Sequence, residues 1–211
     1  MMLHRFSRFV HSAALLVDVG KISSIQPQTY QIRRHFFKYL NRALNIFDRE
    51  RYEEVGGDRL CAEWVLKCGG RLRWAGSHSW LSDYNSLPSE STKAKLNVQD
   101  IDVSGTVVMT QGFEHLWYVK NVKSLKLHDC KYVDDNCLKQ LQITAATLEH
   151  LQISANKQIT DTGLLHLVEL VCLTDLHLKD LPKVKDKKET YEKLQKALPN
   201  CDIMYPDLEN V

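Results

Sequence analysis

The 211-residue sequence lacks the features that define several protein classes. It has no run close to the ~18 consecutive apolar residues that a membrane-spanning helix needs. Its six cysteines form no Cys-x-x-Cys pair and have no histidines at zinc-site spacing. Phosphate-binding glycine motifs and a nucleophile elbow are absent as well. These absences predict a protein that is not an enzyme and has no transmembrane helix, with thiols that are structural and buried in a reducing compartment.

Acidic residues are almost missing from the start of the chain. Residues 1–42 contain seven Lys or Arg but only one acid, Asp18, which leaves 21 basic and 25 acidic residues in the rest. Residues 1–34 also carry serines and a helical pattern of apolar residues, which indicates a mitochondrial transit peptide that we expect to be disordered. A basic tail and a weak secretory signal are the alternatives. Removal of this segment would leave a mildly acidic protein, which argues against nucleic acid as a partner.

One short phrase recurs from residue 96 onwards, in steps of 24, 26, 25 and 25 residues. Each copy has two aliphatic residues two positions apart, with Thr, Cys, Asn or Leu three positions later. This period is typical of leucine-rich repeats. The copies are Ile101-x-Val103-x-x-Thr106, Leu125-x-Leu127-x-x-Cys130, Leu151-x-Ile153-x-x-Asn156, Leu176-x-Leu178-x-x-Leu181 and a partial Cys201-x-Ile203.

The aliphatic pair of each copy would lie on one face of a short strand, under a helix that begins near Asp135 or Asp161. A single repeat cannot bury that face, so the copies must stack. We therefore predict an α/β fold for residues 96–211: a leucine-rich-repeat solenoid of about four to five repeats of the cysteine-containing type. Its parallel strands would line the concave side. Cys130 and Asn156 would point inward and satisfy the backbone of the turns.

Residues 35–95 are predicted to form a small helical domain that caps the open end of the stack. The pattern indicates helices over 35–47, 48–55 and 59–68, the last with Asp58 as its N-cap, then a short strand at 72–74. Residues 86–95 read as a linker. The aromatic residues of this domain, among them Trp64 and Trp80, are assigned to its core; an exposed docking patch is the alternative.

Two motifs of the capping domain carry a family resemblance. Asp58-Arg59-x-x-Ala62-Glu63-Trp64 and Asp83-Tyr84-Asn85-x-Leu87-Pro88, together with Gly112-Phe113-x-His115, resemble the coupling factor B family, also called ATP synthase subunit s. The similarity covers roughly residues 35 to 204. A related family, distal membrane arm assembly component 2, shares the repeats and the ending Leu198-Pro199-Asn200-Cys201.

The resemblance implies a non-catalytic protein on the matrix side of the inner mitochondrial membrane, peripheral to it. There it would support coupled proton conduction by ATP synthase or regulate that enzyme. The alternative is assembly of the membrane arm of respiratory complex I. The resemblance also implies a weak Mg²⁺ site near Gly69 and Ser104, although no cofactor is required, and a redox role in which only Cys130 matches because His128 replaces the second thiol.

The residues that flank the aliphatic pairs would project from the concave side, where repeat proteins usually hold their partners. We predict that seven of them bind a protein complex of the inner membrane. A solvated polar face and a metal site are the alternatives, although the three histidines fall on a diagonal and converge on no single point. The predicted set is Lys126, His128, His150, Gln152, Asp175, His177 and Lys179.

A function from a different class stays open at this point. Repeats with the Ile159-Thr160-Asp161-Thr162-Gly163-Leu164 helix start are also typical of substrate receptors of F-box ubiquitin ligases. An F-box, however, opens with Leu-Pro before its helices, and here Leu87-Pro88 comes after them. The basic N-terminal segment also favours the mitochondrial interpretation.

Overall fold

Residues 27–89 and 96–208 are described by the structure, a computed structural model. Residues 1–26 of the predicted transit peptide and 90–95 of the predicted linker lie outside that part. The chain divides into two units, residues 1–39 and 40–211. The described part of the first unit belongs to helix α1, Pro27–Leu44, whose last residues fall in the second unit. The predicted domain boundaries at residues 35 and 96 stay predictions.

The second unit alternates strands with helical segments. Its α-helices are α2 (Arg49–Val55), α3 (Gly57–Lys67), α4 (Asp135–Gln140), α5 (Asp161–Leu165) and α6 (Lys187–Ala197). Its strands are β1 (Arg71–Trp74), β2 (Val98–Asp102), β3 (Ser124–His128), β4 (His150–Ser154), β5 (Asp175–Lys179) and β6 (Asp202–Met204). Short 3₁₀ helices cover Tyr84–Ser86, Thr110–Tyr118, Leu141–Thr144, His166–Glu169 and Pro206–Leu208.

The six strands form one sheet whose spatial order follows the chain from β1 to β6. Strands β2 to β6 are parallel, and β1 pairs with β2 in the antiparallel sense. Leu125, Leu151 and Leu176 lie opposite one another in neighbouring strands. Each step of about 25 residues along the chain therefore returns to the same register, and the predictions of an α/β fold and of parallel strands are confirmed.

The aliphatic pairs lie under the sheet in a single core. Leu127, Ile153 and Leu178 are completely buried, and they pack with residues of the helical segments such as Leu138 and Leu164. Burial of one such side chain contributes roughly 1.5–3 kcal/mol. Because the core takes one face of every strand, the alternate residues are left on the opposite face.

The turns after β3 and β4 are held from inside by polar side chains. Asn156 accepts a hydrogen bond from the Cys130 N–H and donates one to the Leu127 carbonyl, both at 2.8 Å. The Cys130 thiol donates to the Val103 carbonyl at 3.0 Å. These contacts confirm the inward-pointing roles predicted for Cys130 and Asn156, because each one satisfies backbone of a neighbouring repeat.

A second ladder runs through the helix starts. The Asp135 carboxylate accepts hydrogen bonds from the backbone N–H and the hydroxyl of Thr160, at 2.8 and 2.6 Å. One repeat later, Asp161 accepts from the N–H groups of Lys185 and Asp186 at 3.0 and 2.9 Å. Each aspartate therefore begins a helix and fixes the loop of the following repeat.

Two details of the N-terminal helices differ from the prediction. Helix α1 covers Pro27–Leu44 rather than 35–47, and its Phe36 is 57% exposed. Asn45, just past the helix end, is buried instead, and its side-chain oxygen accepts from Trp64 Nε1 at 3.2 Å and from the Met109 N–H at 2.8 Å. Asn45 makes these two bonds from the turn that follows the helix.

Helix α3 begins two residues earlier than predicted. Its N-cap is Gly56, and the Asp58 carboxylate accepts the Val98 N–H of β2 at 2.6 Å, so the prediction of Asp58 as N-cap was wrong. A backbone donor 40 residues away competes for this carboxylate, and the position of that donor cannot be read from local sequence. Within the described ranges, none of the helices has the length and apolarity to cross a membrane.

Candidate functional site

All seven predicted partner-binding residues lie on the face of the sheet opposite the core, which we call the polar face. The register sorts them, with their neighbours, into three rows that run across the strands. Row one holds Ser124, His150, Asp175 and Asp202; row two Lys126, Gln152, His177 and Met204; row three His128, Ser154 and Lys179. Neighbours within a row lie about 5 Å apart because that is the strand spacing.

Hydrogen bonds fix several of these side chains. His150 Nδ1 lies 2.8 Å from Asp175 Oδ2, and the Thr174 hydroxyl donates to the same oxygen at 2.6 Å. The bond from Thr174, and then the neighbouring His150, lower the pKa of Asp175 below its ordinary value. His128 Nδ1 lies 2.8 Å from the Ser154 hydroxyl. His128, His150 and Asp175 are therefore held in place by neighbouring polar groups.

The three histidines are separated as predicted. His150 lies in row one, His177 in row two and His128 in row three. In the part of the chain that the structure describes, no cluster of three or more His, Cys, Asp or Glu side chains is arranged to hold a metal ion.

The polar face has a different character at β2, the first strand of the repeats. Asp100 and Asp102 are buried, and Arg73 and Arg71 of β1 bond to them, each at 2.7 Å. Burial alone would raise the pKa of Asp102, but hydrogen bonds from Ser104 and Arg71 outweigh it and lower that pKa. These acids are neutralised, so this end of the face presents guanidinium groups.

Trp80 covers the two arginines. Its ring lies 4.9 Å from the Arg71 guanidinium carbon and 5.1 Å from that of Arg73, distances typical of cation–π contacts. It is 39% exposed, so its predicted place in a core was wrong, whereas Trp64 is buried as predicted. The loop is held by hydrogen bonds in both directions between Leu72 and Leu81, at 3.0 and 2.8 Å.

A shallow groove of about 400 Å³ follows the polar face from Trp80 to Met204, which is 55% exposed. The sequence reasoning missed both ends of this groove. The alternation Arg71-Leu72-Arg73 was the available signal, since it places both arginines on one face of a strand. What it could not reveal was that β1 pairs with β2.

Gly70, next to the predicted Mg²⁺ ligand Gly69, lies close to Asp102, but the groups around Ser104 suit the ion poorly. A Cβ on Gly70, next to Gly69, would meet the Asp102 carbonyl oxygen at 2.9 Å. The Ser104 hydroxyl, however, donates to one oxygen of the Asp102 carboxylate, and Arg71 donates to the other. Mg²⁺ prefers free carboxylates or phosphates. The Mg²⁺ site at Gly69 and Ser104 stays a prediction.

Cys130 is buried, and burial raises the pKa of its thiol to about 11. A thiol with such a pKa is protonated at neutral pH and therefore a poor nucleophile. His128, which the resemblance implies replaces a second thiol, lies exposed in row three. The redox role of Cys130 stays a prediction.

The fold and the face define an α/β protein whose mostly parallel sheet presents one open polar surface. No family model matches the chain. A rat protein named "ATP synthase subunit s, mitochondrial" is 39% identical over 173 residues, which are 81% of this chain and 86% of the relative; the human protein of that name is 35% identical over the same shares. This chain belongs to the ATP synthase subunit s family, as the resemblance predicted.

A more distant relative is the Drosophila melanogaster protein named "Distal membrane arm assembly component 2". It is 25% identical over 211 residues, which cover 97% of this chain and 74% of the relative.

Proposed function

We propose that this chain is a non-catalytic mitochondrial protein that binds ATP synthase through its polar face and supports or regulates coupled proton conduction. The name of its relatives at 35–39% identity supports the choice of partner. One observation carries the choice of surface: the register places all seven predicted side chains on one open face of a rigid sheet. Polar side chains held by a rigid scaffold suit specific recognition, because little conformational entropy is lost on binding.

We infer that the sheet and its helical segments form a leucine-rich-repeat solenoid. Three observations support this: the period of 24–26 residues, the in-register aliphatic pairs, and the internal ladders at Asn156 and Asp161. In such a solenoid the polar face is concave and can enclose part of a partner. The groove is also shallow and open, whereas catalytic sites generally exclude water from an enclosed pocket.

We place the protein in mitochondria, on the matrix side of the inner membrane, as a peripheral component. The name of the relatives and the basic residues 1–34 support this location. Import into isolated mitochondria should shorten the chain by about 30 residues, as a cleaved transit peptide would. Full-length protein that stays outside would contradict the location.

Replacement of Lys126, His150 and His177 together by Ala tests the binding surface. We expect at least about a tenfold loss in capture of ATP synthase from a detergent extract of mitochondria. The matched control replaces Lys120, Lys139 and Lys188, three exposed residues outside the three rows, and should capture normally. Unchanged capture by the first variant would overturn the proposed surface.

Assembly of the membrane arm of complex I is the second candidate. It is favoured by the alignment with the Drosophila relative, which extends over 97% of this chain. The same capture experiment separates the two candidates, because complex I subunits and ATP synthase subunits are distinguished by mass spectrometry. Recovery of complex I intermediates without ATP synthase would select the second.

A further inference from the structure

The groove on the polar face has two chemically different ends. Its β1 end holds Trp80, the Arg71 guanidinium and, on β3, Lys126. Arg71 uses Nε and Nη2 to bind Asp102, so its Nη1 donors remain for another acceptor. Among the described residues Lys126 forms no ion pair. This end therefore offers positive charge beside an exposed indole.

The β6 end has the opposite character. Asp175 and Asp202 are exposed and adjacent in row one, and Met204 adds an exposed apolar side chain in row two. Among the described residues, neither carboxylate pairs with a lysine or an arginine, and His150 is the basic partner of Asp175. In rows one and two, which line the groove, this end therefore offers negative charge beside a flexible thioether.

The dimensions of the face select the shape of what it binds. The groove itself is lined by rows one and two, and row three widens the polar face to about 13 Å along the strands, enough to seat an α-helix of 10–12 Å diameter. An extended segment would touch roughly one row, and the inner strands already use their backbone groups in the sheet. The five strand steps from β1 to β6 span about 24 Å, the length of roughly 16 helical residues.

We propose, building on the function proposed above, that the groove binds one amphipathic helix of the partner, in a fixed orientation. Acidic side chains of that helix lie on Arg71 and Lys126 beside Trp80. Basic side chains lie on Asp175 and Asp202, and an apolar side chain contacts Met204. Opposite charges at the two ends set the direction of the helix, because the reversed helix would place like charges together.

Site-specific photo-crosslinking tests this orientation. A benzoylphenylalanine is placed at position 80 or at position 204 of the full-length chain, and ATP synthase from a mitochondrial detergent extract is the probe. Both positions should crosslink to one helical segment, with Asp or Glu near the site linked to position 80 and Lys or Arg near the site linked to position 204. Crosslinks to two separate polypeptides, or with the charges in the reverse order, would overturn the proposal.

Charge reversal provides the second test and separates the two levels of inference. Lys126→Glu and Asp202→Lys should each weaken capture of ATP synthase by about tenfold, whereas Lys188→Glu on α6 should have no effect. Circular dichroism melting curves show whether each variant is folded. If the triple alanine variant loses capture but neither reversal does, the oriented helix is wrong and the binding surface stands. If the unmodified chain captures no ATP synthase, the proposed function itself fails.

Discussion

The middle of the sheet and its β1 end are stabilised in different ways. In strands β3 to β5 the same interactions recur at each step: stacked aliphatic pairs, and side chains such as Asn156 and Asp161 that hold a neighbouring turn. At the β1 end each contact occurs once. Glu63 of α3, almost fully buried, is bonded by Arg51 at 2.7 Å and by Arg59 at 3.0 Å. Repetition makes the middle predictable, whereas the β1 end depends on single polar residues.

The largest expected loss of stability comes from a substitution in the middle of the sheet. Leu151→Ala removes a side chain that packs against both neighbouring strands, and should lower the free energy of unfolding by about 2–5 kcal/mol. Urea denaturation measures the change. The matched control, Val171→Ala, alters an exposed aliphatic side chain and should cost under about 0.5 kcal/mol. Equal effects of the two substitutions would contradict the stacked core.

The corresponding change at the β1 end is Glu63→Gln. It leaves Arg51, Arg59 and Lys67 around a neutral side chain, and the loss of a buried charge from such a cluster costs about 3 kcal/mol. Glu54→Gln removes an exposed partner of Arg51 and should have little effect. Thermal melting checks both. A Glu63→Gln chain as stable as the parent would mean that this charge cluster does not stabilise the β1 end.

Asn156→Ala tests the internal ladder. It removes the recorded partner of the buried Cys130 N–H and one partner of the Leu127 carbonyl, which should cost about 2 kcal/mol. Amide hydrogen exchange should become faster at Cys130 before it does so elsewhere. The exposed Asn200→Ala serves as control. Unchanged protection of the Cys130 amide would show that the turn does not need the asparagine.

These interactions show what could and could not be predicted from sequence. The core, the parallel register and the roles of Cys130 and Asn156 follow from a local phrase that repeats every 24–26 residues. The β1 end depends on single contacts between distant residues, such as Asp58 with Val98. No local pattern encodes such a pair. The prediction therefore found the row residues of the polar face and missed Arg71 and Trp80, which complete one end of it.

A pH effect sharpens the comparison at the β1 end. His115 is buried with its ring stacked on Trp64 at 5.1 Å, and burial lowers its pKa from 6.5 to about 4. The pKa of His115 is lower in the folded chain than in the unfolded chain. The contribution of neutral, buried His115 to the free energy of unfolding is therefore fully present above pH 6.5 and is lost as the pH falls towards 4. The loss should be about 1 kcal/mol at pH 5.5. His115→Phe keeps a ring on Trp64 and should reduce the pH dependence by that amount; an unchanged dependence would contradict it.

The smallest expected effect is a gain in the free energy of unfolding, from a substitution in the middle of the sheet. After each of the strands β2 to β5 one residue has a positive φ: Gly105 at 68°, Asp129 at 49°, Ala155 at 56° and Asp180 at 53°. Alanine is strained there, so Ala155→Gly should raise the free energy of unfolding by up to about 1 kcal/mol. Ala197→Gly at the end of α6 should lower it slightly. Destabilisation by Ala155→Gly would mean that the turns are not equivalent.

The polar face as the binding surface is most directly tested by the affinity of purified ATP synthase for the immobilised chain. Interferometry would compare the parent with the variant in which Lys126, His150 and His177 are all Ala. We expect a Kd at least about tenfold higher for the variant, with an unchanged melting temperature. Equal Kd values for the two chains would contradict the role of this face.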